Sequence, residues 1–180
     1  LSGSIRPASC LELSCRNMHT YAVVIPAYNE EHFLPRTLRS LSEAMAAAES
    51  NGEVIVVDNN SQDNTRAVTE DFCRRYPNIR YFLETQQGLS HARNRGWREA
   101  RGNYIAYIDD ECKAPPKWLA TAKRIVDRLS PAVFGGPYYG YHNSLPPRWW
   151  KESYEAFEPC DTARELSPGE YIRGGNIFIQ

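Results

Sequence analysis

The stretch YIAYIDDE, residues 104–111, joins a short apolar run to three consecutive acids. Its first five residues have the continuous hydrophobic character of a strand buried on both faces of a sheet. Asp109, Asp110 and Glu111 follow where such a strand would surface. Adjacent carboxylates repel each other and are costly to desolvate, and a divalent cation with oxygen ligands, Mg²⁺ or Mn²⁺, would offset both effects. Taken alone, the triplet is explained equally well as a solvated acidic turn.

Short apolar runs and helical patterns alternate along the rest of the chain. The predicted strands are residues 21–25, 54–57, 79–83 and 104–108. The predicted helices have apolar faces at Leu34, Leu38, Leu41 and Met45; at Val68, Phe72 and Tyr76; at Leu89, Ala92, Gly96 and Ala100; and at Trp118, Ala122, Ile125 and Leu129. This alternation predicts a single-domain, Rossmann-like α/β fold with a mostly parallel sheet and helices on both faces. Residues 131–180 are rich in Gly, Pro and aromatic residues and show no period.

Composition excludes several classes of protein. The 180 residues carry a net charge of −1 and no basic run, so a nucleic-acid partner is not expected. The five cysteines include no C-x-x-C pair, which indicates free thiols in a reducing, cytoplasmic compartment. No apolar segment approaches the roughly 20 residues that span a bilayer. Residues 1–17 have no hydrophobic period, and we expect them to be a disordered leader or one foreign to the native protein, with the native start at Met18.

The turn after the first predicted strand argues against the common nucleotide sites. A dinucleotide-binding domain needs a glycine-rich turn there, but this chain has PAYNEEH, residues 26–32, without glycine. A phosphate-binding P-loop and a G-x-S-x-G motif are absent as well. In an open α/β sheet ligands bind beyond the carboxyl ends of the strands, where Glu30, Asp58 and Asp109 follow three of the predicted strands.

Five segments in order resemble the family 2 glycosyltransferases, whose nucleotide-sugar-binding fold is called GT-A. They are VVIPAYNEE (23–31), VVDNNSQDNT (56–65), GLSHARNRG (88–96), GNYIAYIDDE (102–111) and RGGN (173–176). The resemblance implies a GT-A-like fold with a nucleotide-sugar-binding half at 18–130 and an acceptor-side half at 131–180. It also implies a role in cell-envelope or polysaccharide biosynthesis.

The resemblance assigns roles to individual residues. Nucleotide contacts fall on Pro26, Ala27, Tyr28, Glu30, Asp58, Arg93, Asn94 and Asp109. Sugar or acceptor contacts fall on Asp110, Gly135, Gly136, Gly175 and Asn176. IDDE looks like the family's D-x-D motif, which makes Asp109 and Glu111 the ligands of Mn²⁺ or Mg²⁺, with Glu one methylene longer than the usual Asp. For Asn60, Ser61 and Asp63 we favour a structural role at a helix start.

The expected activity is metal-dependent, inverting transfer of a sugar from a UDP- or GDP-sugar to a sugar, lipid-linked or protein acceptor. The catalytic base of the family usually follows the glycine–asparagine loop, so we expect it beyond Gln180; no motif selects Glu158 or Asp161. The expected location includes the inner face of the membrane, with homo-oligomerisation or peripheral membrane association as further expectations. The alternatives are a non-catalytic nucleotide-sugar-binding or interaction module, a nucleotidyltransferase, and a flavodoxin-like domain.

Overall fold

A computed structural model describes residues 20–137, 139, 145, 147–151, 164–169, 172 and 174–180. The predicted leader at 1–17 and the two acids Glu158 and Asp161 lie outside these residues. Among the described residues, no helix is both long and apolar enough to cross a membrane.

Strands and helices alternate as the sequence predicts. The strands are β1 (Tyr21–Ala27), β2 (Glu53–Asp58), β3 (Ile79–Leu83), β4 (Tyr104–Ile108), β5 (Val133–Gly135) and β6 (Asn176–Ile179). The helices are α1 (Leu34–Ala47), α2 (Thr65–Arg75), α3 (Leu89–Glu99) and α4 (Trp118–Leu129). The strands form one sheet in the order β3-β2-β1-β4-β6-β5. The first four are mutually parallel, whereas β6 runs antiparallel to both β4 and β5. The prediction of a mostly parallel α/β sheet is confirmed.

The central strand β1 is buried along its whole length and separates two hydrophobic clusters. Residues that alternate along a strand point to opposite faces, so Val23 and Ile25 join the larger cluster while Ala22 and Val24 join the smaller one. The larger cluster lies under α1 and α4, and the smaller one includes Ala92 of α3. Helices therefore cover both faces, as predicted.

Two of the predicted helical faces need correction. Leu89 is 52% exposed and Leu129 is 61% exposed, so neither contributes to the core. Both residues stand at a helix end: Leu89 is the first residue of α3 and Leu129 is the last residue of α4. In α4 the buried residues are Leu119, Ala122 and Val126. Only Ala122 belongs to the predicted face, so the buried face of this helix lies one residue further along the chain than predicted. The predicted face of α1 is buried in full.

Strands β5 and β6 lie in the region where the sequence shows no period. Their three and four residues are too few for a pattern, and they form by pairing with distant partners. The ring of Phe134 stacks on that of Phe178 with 4.6 Å between centroids, and Trp118 contacts the same phenylalanine at 5.0 Å. The pair Ile108 and Asn176 places the start of β6 beside the carboxyl end of β4. The Gly174–Gly175 turn therefore reaches the edge at which β1, β2 and β4 end.

Candidate functional site: an acidic edge of the sheet

The three acids after β4 separate as soon as the strand ends. Asp110 turns toward the loop after β1, where its Oδ2 accepts a hydrogen bond of 3.3 Å from the Tyr28 backbone N–H. The side chain of Asp109 remains partly exposed, 3.6 Å from the guanidinium of Arg93. Glu111 is exposed. Of the three acids, Asp110 is therefore tied inward, whereas Asp109 and Glu111 stay accessible.

Negative charge accumulates around this loop. Burial raises the pKa of Asp110 to about 7, and the charges of Glu30 and Asp109 add to that rise against the opposing bond from Tyr28. Burial also raises the pKa of Glu30, with the charges of Glu111 and Asp63 as further causes. The loops after β1 and β4 thus bring several carboxyl groups close enough together to raise the pKa values of two of them.

The chemistry of these side chains fits a hard divalent cation. Among the described residues, no group of three or more His, Cys, Asp and Glu side chains is arranged to hold a metal ion by itself. Mg²⁺ and related ions are commonly bound by one or two carboxylates while phosphate oxygens and waters complete the shell. Asp109 and Glu111 supply carboxylate oxygens where such an ion would offset the crowded charge.

The turn before β6 closes against this loop with two glycines. A Cβ on Gly175 would lie 2.5 Å from Oδ2 of Asp109, and a Cβ on Gly174 would lie 2.9 Å from Nη2 of Arg93. The same Nη2 donates a long hydrogen bond of 3.5 Å to the carbonyl of Gly174. A side chain at either glycine would therefore displace the end of the Asp109 or the Arg93 side chain from its present position.

Arg93 lines a cavity of about 300 Å³ on the α3 side of the sheet. Its Nε is buried without a hydrogen-bond partner among the described residues. The lining also includes Asn94, which is exposed at the helix surface. Arg93 and Asn94, two of the predicted nucleotide contacts, thus line the same cavity, and Arg93 also lies beside Asp109.

Only some of the residues predicted to contact a nucleotide in and after β1 are accessible to solvent. Pro26 and Ala27 are buried in β1, paired with β2, so their side chains do not reach solvent. Tyr28 is 46% exposed and extends the loop outward. Asn29 adopts the left-handed conformation with φ of 57°, which turns the chain toward Glu30. Of the predicted contacts in this loop, the ring of Tyr28 is exposed and Glu30 is half-buried.

Asp58 ends β2 at the same edge, but its carboxylate points inward. One oxygen accepts a hydrogen bond of 2.8 Å from the Ser61 backbone N–H, and the other accepts one of 2.9 Å from the Tyr81 hydroxyl. The residue is 2% exposed. The pKa of Tyr81 is raised by burial and by this bond to a charged acceptor. The sequence does not reveal this inward orientation.

Hydrogen bonds made by residues 59–65 connect the loop after β2 to the loop after β1. The Ser61 hydroxyl accepts from the Asn29 N–H at 3.0 Å, and Asp63 accepts from the Glu31 N–H at 3.0 Å and from the Thr65 hydroxyl at 2.6 Å. The structural role favoured for Ser61 and Asp63 agrees with these bonds. Asn60 adopts a left-handed φ of 64°.

The glycines and the asparagine assigned to the sugar side also make internal contacts. The Asn176 side chain accepts a hydrogen bond of 3.0 Å from the Trp118 indole and donates one of 3.1 Å to the Pro137 carbonyl. Gly136 donates its N–H to the Asn176 carbonyl at 3.4 Å, and a Cβ on Gly135 would lie 2.5 Å from the same oxygen. These contacts tie β5 and β6 to α4 beside the acidic edge.

Helix α1 contributes polar residues that our reading of the sequence missed. Thr37 and Ser40 are buried in the middle of its apolar face and bond to the loop that carries the three acids. Two hydroxyl residues inside an otherwise apolar helical face were the available signal, because a buried polar group needs a partner.

Comparison with solved structures defines the class of protein. A crystal structure of *S. aureus* TarS, residues 1–349, superposes with a TM-score of 0.69 at 21% identity, covering 89% of this chain and 47% of that one. The mannosyltransferase PcManGT from *Pyrobaculum calidifontis*, in complex with GDP-Man and Mn²⁺, superposes with a TM-score of 0.60 at 24% identity, covering 67% and 35%. The fold is that of the GT-A domains.

Sequence comparison then identifies the family. The model of glycosyl transferase family 2 matches residues 22–177, and the chain belongs to that family. Glycosyltransferase AglE from *Haloferax volcanii* is 28% identical over 161 residues, which cover 88% of this chain and 52% of AglE. The chain thus spans about half the length of this relative, and less of several others.

Proposed function

We propose that this chain is the donor-binding part of a glycosyltransferase that transfers a sugar from a nucleotide-diphospho-sugar to an acceptor hydroxyl with inversion. Family membership supports this proposal, as do relatives named glycosyltransferases. A TarS structure in complex with UDP-GlcNAc and the PcManGT structure with GDP-Man and Mn²⁺ support a UDP- or GDP-sugar as the donor.

The acidic edge is the observation that carries the proposal. Asp109 and Glu111 would hold Mn²⁺ or Mg²⁺ together with oxygens of the donor diphosphate, while Asp110 stays tied to the Tyr28 backbone. When bound, the cation would neutralise the negative charge that develops on the leaving diphosphate. The chain's own contribution is to place two accessible carboxylates on a loop at the carboxyl end of the sheet.

The residues around this edge take the remaining roles in the proposal. Arg93 offers guanidinium N–H donors beside Asp109, suited to a phosphate oxygen. Tyr28 offers an exposed ring on which a base can stack. Asp58 would contact the base only after its carboxylate is uncovered, because it is 2% exposed and both of its oxygens accept internal hydrogen bonds. The sugar and acceptor side comprises Asp110, Gly135, Gly136, Gly175 and Asn176, and Glu30 and Asn94 line the nucleotide side.

Thermal-shift measurements test the metal-dependent donor site. UDP, GDP and ADP are screened with Mn²⁺ and with EDTA, because a ligand at 100 times its Kd adds about 2.7 kcal/mol of stability. We expect a manganese-dependent shift with UDP or GDP that is lost in Asp109→Ala and Glu111→Ala. Glu43→Ala, which removes an exposed acid from α1, is the matched control and should keep the shift. An unchanged shift in both loop variants would place the metal elsewhere.

Transfer is tested separately from binding. Release of free nucleotide from UDP- and GDP-sugars is measured for this chain and for a longer version of the protein, with Mn²⁺ present. Donor turnover by either one supports the transferase. A chain that binds the donor while neither version turns it over would favour a non-catalytic binding module instead.

A further inference from the structure

Helix α1 carries three polar residues that contact the loop bearing the acids. Thr37 is fully buried, Ser40 is nearly so, and Arg36 lies beside them. The loop they contact, residues 109–114, is the first part of the connection between β4 and α4 and contains no helix or strand of its own. It therefore needs partners for its backbone groups from elsewhere in the fold.

The side chains of α1 supply those partners one after another along the loop. The Thr37 hydroxyl lies 2.6 Å from the carbonyl oxygens of both Asp110 and Cys112, and its single proton is shared between them. Arg36 donates to the Glu111 carbonyl at 3.0 Å. The Ala114 N–H donates to the Ser40 hydroxyl at 3.0 Å. Three consecutive carbonyls and one amide are thus bonded by a single turn of helix.

These bonds differ from the usual behaviour of a hydroxyl within a helix. Thr69 of α2 is equally buried, but its hydroxyl donates to the carbonyl of Thr65 four residues earlier in its own helix. Ser42 does the same with Leu38. Thr37 instead bonds a segment more than 70 residues away in sequence. Burial alone does not require that arrangement, because a carbonyl of its own helix is available to any threonine.

We propose that Thr37, assisted by Ser40, is a positioning residue that holds the acidic loop in its binding geometry before any ligand arrives. This inference rests on the proposed metal site at Asp109 and Glu111. Residues that orient metal ligands from behind affect affinity strongly, because ligands fixed in advance do not have to be ordered on binding. The backbone of the loop is held from the α1 side, and the Asp109 and Glu111 carboxylates remain free for a cation.

Two readouts of Thr37→Val test the proposal. The variant keeps the shape of threonine and removes the hydroxyl. We expect amide hydrogen exchange within residues 110–114 to quicken in metal-free protein. We also expect the Kd for Mn²⁺, measured by electron paramagnetic resonance with UDP or GDP present, to rise by about 10- to 100-fold. Thr37→Ser keeps the hydroxyl and should stay close to the wild type in both readouts.

Thr69→Val is the matched control, since it removes an equally buried hydroxyl that does not contact the loop. It should leave loop exchange and the Kd for Mn²⁺ unchanged even where its melting temperature falls. Should Thr37→Val prove too unstable to purify, Ser40→Ala provides the same test through faster exchange of the Ala114 amide.

The outcomes separate this proposal from the proposed function. Loop exchange and Mn²⁺ affinity that are the same in Thr37→Val and Thr69→Val overturn the positioning role. Absence of Mn²⁺ binding by the wild type with every nucleotide overturns the metal site instead. In that case the exchange rates still decide whether Thr37 holds the loop.

Discussion

An alanine at position 175 should weaken metal binding without weakening the fold. A Cβ there would lie 2.5 Å from Oδ2 of Asp109 and 3.3 Å from its Cγ, whereas ordinary contact begins at 3.4 Å. The carboxylate oxygen must therefore retreat by roughly 0.9 Å, which the end of a flexible side chain can do at little cost. Metal–ligand distances stay within about 0.2 Å of their usual values, so an oxygen displaced this far must be brought back, or the ion must move, when the metal binds. We expect the Kd for Mn²⁺ to rise at least about tenfold, equivalent to ~1.4 kcal/mol.

Gly102→Ala is the contrasting control. Its Cβ would lie 2.6 Å from the backbone nitrogen of Ala22 and 2.8 Å from the carbonyl carbon of Tyr21, and backbone atoms cannot move aside as a carboxylate can. This variant should lose about 1–3 kcal/mol of unfolding free energy. Its folded molecules should bind Mn²⁺ as the wild type does, because the clash is remote from the acidic loop.

Urea unfolding in EDTA and Mn²⁺ titration in the presence of UDP or GDP measure the two quantities independently. Gly175→Ala should keep its unfolding free energy or gain up to about 1 kcal/mol, since glycine has the more flexible unfolded chain. If Gly175→Ala binds Mn²⁺ as tightly as the wild type, Asp109 is not a ligand whose position matters. If it loses as much stability as Gly102→Ala, the turn cannot yield and the reasoning from side-chain flexibility is wrong.

Three further predictions concern packing, the edge of the sheet and pH. In Gly96→Ala the new methyl group would collide with Val24. We expect the variant to lose about 1–2 kcal/mol of unfolding free energy, measured in urea, despite its better helix propensity. In a Val24→Ala background the same substitution should cause no such loss. Asp58→Ala should lower the unfolding free energy by about 1.5–3 kcal/mol, because it leaves two internal donors unpaired. Tyr81→Phe should lower it by less. The same variant should strengthen any contact of Asp58 with a base, which titration with UDP and GDP measures. The pKa of Asp63 is lowered because hydrogen bonds from Thr65 and Glu31 outweigh its burial, so its stabilising contribution is present at neutral pH and lost as pH falls below the range of a normal carboxyl. The difference in unfolding free energy between wild type and Asp63→Asn should therefore shrink between pH 6 and pH 3, and a constant difference would contradict this assignment.

The sequence was informative where structure depends on local pattern. Strands β3 and β4 have the predicted bounds, and β1 and β2 extend the predicted ones by one or two residues. Strand β1 and residues 54–57 of β2 are continuously apolar because both of their faces are buried, whereas β3, at the edge of the sheet, is only partly buried and includes Arg80. Strands β5 and β6 could not be predicted in this way. They are held by pairing across the sheet, and the alternation of so few residues cannot be distinguished from chance.

The position of the acids at one edge of the sheet was predictable, but the direction of their side chains was not. Because Glu30, Asp58 and Asp109 each follow a predicted strand of a parallel sheet, the sequence predicts that they lie at the same edge, where ligands of such sheets bind. Whether a carboxylate at that edge faces outward depends on donors far away in sequence. Asp58 turns inward because the Tyr81 hydroxyl and the Ser61 backbone N–H donate hydrogen bonds to it, and no pattern in the sequence predicts those partners.

Internal hydrogen bonds sort the acids of this edge into two groups. The carboxylates of Asp110 and Asp63 accept hydrogen bonds from backbone N–H groups. Within the described residues, Asp109 is held only by a long ion pair of 3.6 Å to Arg93, and no hydrogen bond is made to the Glu111 carboxylate. Glu30 is a third acid of this edge whose carboxylate accepts no hydrogen bond within the described residues. Of these three acids, Asp109 and Glu111 share the loop after β4, and they are the pair that we propose a cation would occupy.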